Sequence, residues 1–540
     1  MGSLNILLLV SSFISLGICD PNPPTPVWKK TYSVKGVLNI PYAEIQEPFS
    51  CWYDEPSKQS RIDYYGDMVQ TYQLGGTGYG TSLKVAPITT ETEENVRTCL
   101  QVNGTSENRI TPQSVLPDLT DFKKEGTEVV NGFETEKWVL VEVIGHKINK
   151  YSMWIKSGEV PVRYEMKGFN SLLGSHYDHY YLDYVFYDTS DIPEDTFRVA
   201  TDMVCSSFPG PGDKHIYTFN PIAEFIKPEY TGHLDFEFKK FIHKHRRQYA
   251  DEKEHTMRKS IFTQNIRFIY SVNRQNKGYT LTVNHLADKS PQELKALRGK
   301  KYSGVYNGGK PFPYNVTKKD DIPQQFDWRI FGAVTPVKDQ SVCGSCWSFG
   351  TVGAIEGAYF LKNGNLVRLS QQALIDCSWG YGNNGCDGGE DFRAYQWILK
   401  HGGLPTEEDY GPYLGQDGYC HATSLPKVAK ITGWVNITSG DENALRLALY
   451  RHGPISVAID ASHRTFSFYS NGIYYDASCG NTEEDLDHAV LAVGYGSIKG
   501  QNYWLIKNSW STYWGNDGYI LMSSKDNNCG VMTTPTYVTM

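Results

Sequence analysis

The chain has 540 residues, 21% of them charged and 40% hydrophobic, with a formal net charge of −8. That composition is globular and soluble, and the length excludes one ordinary core: at about 150 residues per domain it suggests three or four folding units.

The opening "MGSLNILLLVSSFISLGICD" lacks a basic start but carries a leucine-rich apolar run of signal-peptide length, and Gly17 and Cys19 suit cleavage before Asp20. The run is too short for a membrane anchor and no second one follows, so no membrane span is expected. From Trp28 to about Asp188 the chain is tyrosine-rich and strand-like. "KWVLVEVIG" and "KYSMWIKSGEVPVRYEM" read as strands broken by a hairpin at Ser157-Gly158, and "YYLDYVFYD" reads as one more. "CSSFPGPGDK" from Cys205 reads as a Pro/Gly linker closing a mainly antiparallel β domain over residues 20–231. This unit shows no catalytic motif.

From Gly232 the pattern is helical, with Phe236, Phe241, Ile242, Tyr249, Phe262, Ile266 and Ile269 on apolar faces and a break near Tyr249 to Asp251. Residues 232–321 carry 19 Lys+Arg against 9 Asp+Glu, a net +10, while residues 322–540 carry 14 against 21, a net −7. The opposite signs suggest two neighbouring units held partly by complementary fields. A basic run is also compatible with a solvated helix or nucleic-acid binding, so charge alone does not decide.

The last unit starts with "CWSFGTVGAIEGAYFLKNG", a helix expected to stop at Asn363-Gly364. "GPISVAID", "HAVLAVGYG", "NYWLIKNSW" and "GYILM" read as antiparallel strands, so an α+β domain in two lobes is expected.

In "VCGSCW", Cys343 and Cys346 fit a redox dithiol, half a zinc site, or two cysteines with unrelated duties. A secretory compartment favours disulfides, and without Cys19 there are ten cysteines, three before residue 231 and seven after 342. Both groups are odd, so each leaves a thiol over, and in the second that thiol suits a nucleophile. The sequons at Asn103, Asn315 and Asn436 fit the same route.

If Cys346 opens a helix, backbone N–H groups and the helix dipole favour its thiolate. A lone histidine such as His488 is more often a satisfied core residue, but His488 opens a buried strand and Asn508 follows another. Asn508 suits orienting the imidazole, and Gln340, six residues before Cys346, suits donating to a developing oxyanion.

These residues carry a resemblance. "QSVCGSCWSF", "LDHAVLAVGYG" and "KNSWSTYWGNDGYI" resemble the three blocks of papain-like cysteine proteases, the cathepsin L group in particular. Glu254, Arg258, Phe262, Asn265, Ile269 and Asn273 match E-x3-R-x3-F-x2-N-x3-I-x3-N of that group's inhibitory prosegment. In "TVNHLAD", Asn284 and Asp288 keep a second prosegment motif, while Thr282 and Leu286 stand for its glycine and phenylalanine.

The resemblance implies Cys346 as nucleophile, His488 as base and acid, Asn508 as orienter, Gln340 as oxyanion donor and Trp510 as a shield of the His488–Asn508 contact. It implies disulfides Cys343–Cys386, Cys377–Cys420 and Cys479–Cys529. It implies Gly388 and Gly389 as a strip for the substrate backbone, and Asp391, Ala458, Leu486, Ala489 and Thr534 at the pocket for the P2 side chain. Glu390 and Asp391 stand where relatives carry apolar residues, which favours polar or basic P2 side chains. The prosegment (232–321) is expected to block the cleft in a non-cleavable direction until acid-promoted cleavage frees a protease domain at 322–540. The short Cys377–Cys386 interval leaves no room for an occluding loop, so endopeptidase action is expected.

No cofactor, metal or nucleic acid is implied; the partners are protein substrates, the protein's own prosegment, and the β domain if it stays bound after cleavage. Lysosomal, vesicular or extracellular placement follows from the leader. The whole order of units is similar to invertebrate haemocyte and digestive proteases. Cys51, Cys99 and Cys205 leave their pairing open. Rival classes are a thiol-disulfide oxidoreductase, disfavoured because no βαβ context surrounds the CxxC, and a non-catalytic binding protein.

Overall fold

The computed structural model describes residues 24–89, 95–227, 231–313 and 322–540; the expected leader and the Asn315 sequon lie outside them. Residues Thr31–Ser207 form one open sheet of twelve strands. It consists of two antiparallel meanders, Thr31–Asn103 and Lys123–Asp188, joined where strand Thr31–Ile40 pairs with strand Ser175–Asp188. Alternation places Tyr151 opposite Met166 and Met153 opposite Tyr164, all buried on one face, which explains the wealth of tyrosine. The hairpin between these strands turns through Ser157 and Gly158, both at positive φ, a conformation most readily adopted by glycine.

The segment expected to be a linker is structural. Cys205–Ser207 adds a parallel edge strand to Val96–Asn103, and Cys205 is disulfide-bonded to Cys99, leaving Cys51 as a buried free thiol. Helices α1 (Asp213–Phe219) and α2 (Ala223–Ile226) then return to the sheet, where Gln73 donates to the Phe219 carbonyl and Tyr180 to that of Phe225.

Helices α3 (Gly232–Lys244) and α4 (Glu252–Arg274) follow. The break predicted between them is set by Asp251, whose carboxylate caps α4 by accepting from the Glu254 amide at 2.8 Å. Phe238, Phe241, Phe262, Ile266 and Ile269 are buried, whereas Phe236 is exposed. Helix α5 (Pro291–Ala296) opens with a Ser290/Glu293 capping box.

In the C-terminal unit, α6 (Cys346–Asn363) runs through the centre and ends on Gly364 in the left-handed conformation. A cluster with Trp347, Leu374, Tyr395 and Ile398 packs on one side of it. A ten-stranded sheet lies on the other and holds the four strands anticipated in the sequence. Two of its strands belong to the prosegment: Tyr279–Leu281 pairs with Tyr469–Tyr474, and Lys310–Pro311 pairs with Gly433–Asn436. The prosegment thus covers both sheet edges, which would otherwise present unpaired backbone groups. The largest buried cluster is continuous from the N-terminal sheet through α4 into this C-terminal sheet, so no gap in packing marks the boundary near residue 231.

Candidate active site

Cys346 is the first residue of α6 and is buried; His488 opens the strand His488–Ile498, and Asn508 follows the strand Gln501–Lys507. His488 Nε2 and Asn508 Oδ1 are 2.8 Å apart, while His488 Nδ1 is buried with no hydrogen-bond partner. Trp510 packs against the imidazole with ring centroids 4.8 Å apart. The Ala489 amide donates to Cys346 Sγ at 3.5 Å, which places the thiol beside the start of the His488 strand.

Gln340 is fixed from several sides. Its amide donates to the Ser509 carbonyl, its Oε1 accepts from Ser509 Oγ at 2.7 Å, and its carbonyl accepts from Tyr413. Its Nε2 donates to two carbonyls, that of Cys343 at 2.7 Å and that of Leu297 at 2.8 Å. Ser509 and Tyr413 escaped the sequence reading; a serine next to Asn508 was the only local sign.

The prosegment occupies this cleft. Beyond Leu297, the Gly299 amide donates to Cys346 Sγ at 3.3 Å, and the Lys300 amide donates to the Asp487 carbonyl. Gly389 donates to the Gly299 carbonyl at 2.8 Å and accepts from Lys301 at 3.0 Å, a parallel pairing. Gly299 has no room for a side chain: a Cβ would lie 1.7 Å from the Gly344 carbonyl oxygen. A Cβ on Gly388 would meet the Gly299 carbonyl oxygen at 2.5 Å, so both glycines serve close backbone approach. Arg298 reaches Asp487 at 2.6 Å.

Closure alters the chemistry expected of the pair. Burial pushes the Cys346 thiol up to about 11, against the lowering by the amides of Ala489 and Gly299, and burial pulls His488 down to about 4. The thiolate anticipated from the helix terminus is therefore disfavoured in this closed form, because desolvation outweighs the amides that face the sulfur.

Asp391, Ala458, Ala489 and Thr534 line one cavity of about 250 Å³, into which the prosegment brings Lys300 and Tyr302. Leu486 is buried against Gly530 and is not among the residues lining it. Asp391 Oδ2 accepts from Thr536 at 2.8 Å and Ser456 at 3.3 Å; burial holds its carboxyl above the usual range, partly offset by Lys300. Glu390 is engaged elsewhere, accepting from Arg393 and from the Ser303 amide.

Cys343 is bonded to Cys386, Cys377 to Cys420 and Cys479 to Cys529; Cys346 is free. The two cysteines of the CxxC are therefore not bonded to each other. Asn103 is exposed, whereas the Asn436 side chain forms a reciprocal amide pair with Asn307 of the prosegment.

A free, buried thiol beside an oriented imidazole, in a cleft filled by the chain's own backbone, belongs to the class of thiol hydrolases made as zymogens. Residues 322–539 match the papain family cysteine protease model, and residues 238–294 match the cathepsin propeptide inhibitor domain (I29). Digestive cysteine proteinase 2 of Homarus americanus is 45% identical over 304 residues, covering 55% of this chain and 92% of its own. The cathepsin L-like peptidase of Aedes aegypti is 44% identical over 335 residues, 58% of this chain and 94% of its own. Digestive procathepsin L 3 of Tenebrio molitor larval midgut superposes with TM-score 0.52 at 38% identity, over 57% of this chain and 99% of that one. The chain belongs to the papain family of cysteine proteases, as a cathepsin L-like zymogen carrying an intramolecular propeptide inhibitor domain.

Proposed function

We propose that Cys346, His488, Asn508 and Gln340 perform the peptide hydrolysis. The observation that carries this is the Leu297 carbonyl on Gln340 Nε2 with the next backbone amides on Cys346 Sγ and Asp487: a peptide already lies where a substrate would. Once the prosegment leaves and water returns, His488 Nδ1 takes the thiol proton and the thiolate adds to the scissile carbonyl. Gln340 Nε2 and the Cys346 amide hold the developing oxyanion, and the imidazolium passes its proton to the leaving amine. Water, deprotonated by the same imidazole, then releases the acid from the thioester. Asn508 keeps the ring oriented, and Trp510 shields that contact.

Gly388 and Gly389 would bind the substrate backbone. The parallel pairing of the prosegment with Gly389 supports a direction opposite to a cleavable one. Lys300 in the cavity walled by Asp391 supports tolerance of polar or basic P2 side chains. The helical cluster and the sheet on either side of α6 are the two lobes, and residues 1–19, 20–231, 232–321 and 322–540 are leader, β domain, prosegment and protease. Disulfides and digestive relatives support a secretory route, lysosomal or extracellular, with glycan at Asn103. Among the described residues no helix is long and apolar enough to cross a membrane.

The test is acid activation of the purified precursor with sequencing of each new N-terminus, then labelling by an epoxysuccinyl probe. Labelling confined to Cys346 and loss of all hydrolysis in Cys346→Ala is the expected result; hydrolysis surviving in that variant would refute the assignment.

A further inference from the structure

The N-terminal β unit reaches the protease domain chiefly through α4. Glu47, 1% exposed on strand Ile45–Asp54, takes both ends of a fork from Arg274, at 2.5 and 2.7 Å, and accepts from Ser271 at 2.9 Å. Tyr65 bridges the same site, 2.6 Å from Ser271 and 3.0 Å from Gln275. One and two turns earlier on the helix, Arg267 lies between Asp178, at 2.9 and 3.0 Å, and Glu224, at 2.8 Å, with Gln264 also on Asp178. Glu224 completes its contacts with His233 of α3, and Tyr217 stacks on Tyr270 at 4.9 Å. Both carboxylate sites belong to the β unit, both arginines to the prosegment, and all of these charges are buried or nearly so.

By contrast, among the described residues no hydrogen bond, ion pair or disulfide joins residues 24–227 to residues 322–540. Where the two come nearest in charge, Glu44 faces Arg464 across a cavity of about 600 Å³. Helix α4 sits between them and is held on its far side as well, where Arg464 donates to Asn265 at 2.6 Å.

We infer that the β unit is a receptor for the prosegment helix: an accessory inhibitory module that clamps α4 onto the protease and is retained by the enzyme only through that helix. The inference rests on the reading of the prosegment as the inhibitor. A buried charge left without its partner is strongly disfavoured, so removing one side of either fork weakens the clamp far more than an exposed pair would.

The test uses the full-length zymogen with a site-specific protease sequence inserted between Lys227 and Thr231. After nicking at neutral pH, the β piece is expected to co-elute with the rest. Arg274→Gln, which leaves the β unit's own sequence untouched, and Glu47→Gln are each expected to weaken that association about 100-fold or more. Peptide hydrolysis by the nicked variants should rise as the β piece is lost. Arg274→Lys, keeping charge but not the fork, should fall between. Unchanged co-elution in both Gln variants, or a β piece that stays on a protease already stripped of α4, would overturn the inference. A wild-type intact zymogen as active as the processed enzyme would instead overturn the prosegment reading, so the two failures are distinct.

Discussion

Acid activation is expected to run through His285. This residue and His245 lie under Tyr513 of the protease, with ring centroids 6.1 and 5.0 Å from it and 6.4 Å from each other. Nδ1 of each is buried without a partner. The charged groups facing them are cationic, Lys244, Arg247 and Lys289. The nearby Asp288 is already engaged by Arg247 and by Tyr249, and Asp339 of the protease faces Arg247. Burial first, and then these cations, pull His285 from 6.5 to about 3 and His245 to about 4.

Both shifts are downward, so the docked prosegment holds neutral rings while a released one binds protons. Docking is at full strength above pH 6.5 and weakens as pH falls toward the docked values. At pH 4.5 linkage for His285 gives about 3 kcal/mol, or about 2 kcal/mol once its partial exposure is discounted, a factor of about 30. His285→Phe keeps an aromatic ring against Tyr513 and removes the charge. The assay is the first-order appearance of peptide hydrolysis from dilute zymogen between pH 3.5 and 7. The variant should activate roughly 30-fold more slowly near pH 4.5, with its profile displaced to lower pH. Identical profiles for variant and wild type would refute the reasoning.

Other outcomes follow from the cleft. Iodoacetamide should alkylate Cys346 in the intact zymogen at least about 100-fold more slowly than in the activated enzyme, since closure buries the thiol and raises it; equal rates would show an open cleft. Gly299→Ala should leave a zymogen with measurable neutral activity, because its Cβ cannot share space with the Gly344 carbonyl; full latency would contradict that contact. In the activated enzyme, Gln340→Ala should lower kcat about 100- to 1000-fold with little change in KM, and a normal kcat would remove Gln340 from the oxyanion site. Asp391→Ala should reduce hydrolysis of P2-Lys peptides relative to P2-Leu, and an unchanged ratio in a P2 library would discard the acidic pocket.

Much of the fold was legible because local signals and packing agree. The break before Asp251, the start and stop of α6 and the hairpin at Ser157-Gly158 all rest on caps and turns that act within a few residues. The prosegment motif is legible for a deeper reason: each member has a fixed partner. Arg258 holds Glu293, Asn265 holds the Ala287 carbonyl and Arg464, Asn273 holds both backbone groups of Leu281, and Phe262 and Ile269 are buried. What stayed hidden depends on distant pairing. Cys205 looked like part of a linker because its partner Cys99 is 106 residues away. Leu486 aligned with the pocket, but alignment does not say which side chains line the cavity.

Charge bookkeeping misled in a more instructive way. The +10 of residues 232–321 and the −7 of residues 322–540 suggested that those two units hold each other electrostatically. The structure gives them one ion pair among the described residues, Arg298 with Asp487, and sends the buried arginines of α4 to Glu47, Asp178 and Glu224 of the N-terminal unit. That unit, with 19 Lys+Arg against 30 Asp+Glu over residues 1–231, carries the larger negative charge. Net charge describes long-range attraction, whereas the pairing that matters is decided where water is excluded, and there a single fork fixes a partner that a sum over many exposed residues cannot name. The prosegment is consequently held by different means on its two sides: buried charge toward the β unit, and backbone pairing, apolar packing and neutral histidines toward the protease. Only the second side carries groups poised to change protonation in mild acid without first breaking a buried ion pair. On this arrangement, acidification loosens the protease side first and leaves the helix in the grip of the β unit.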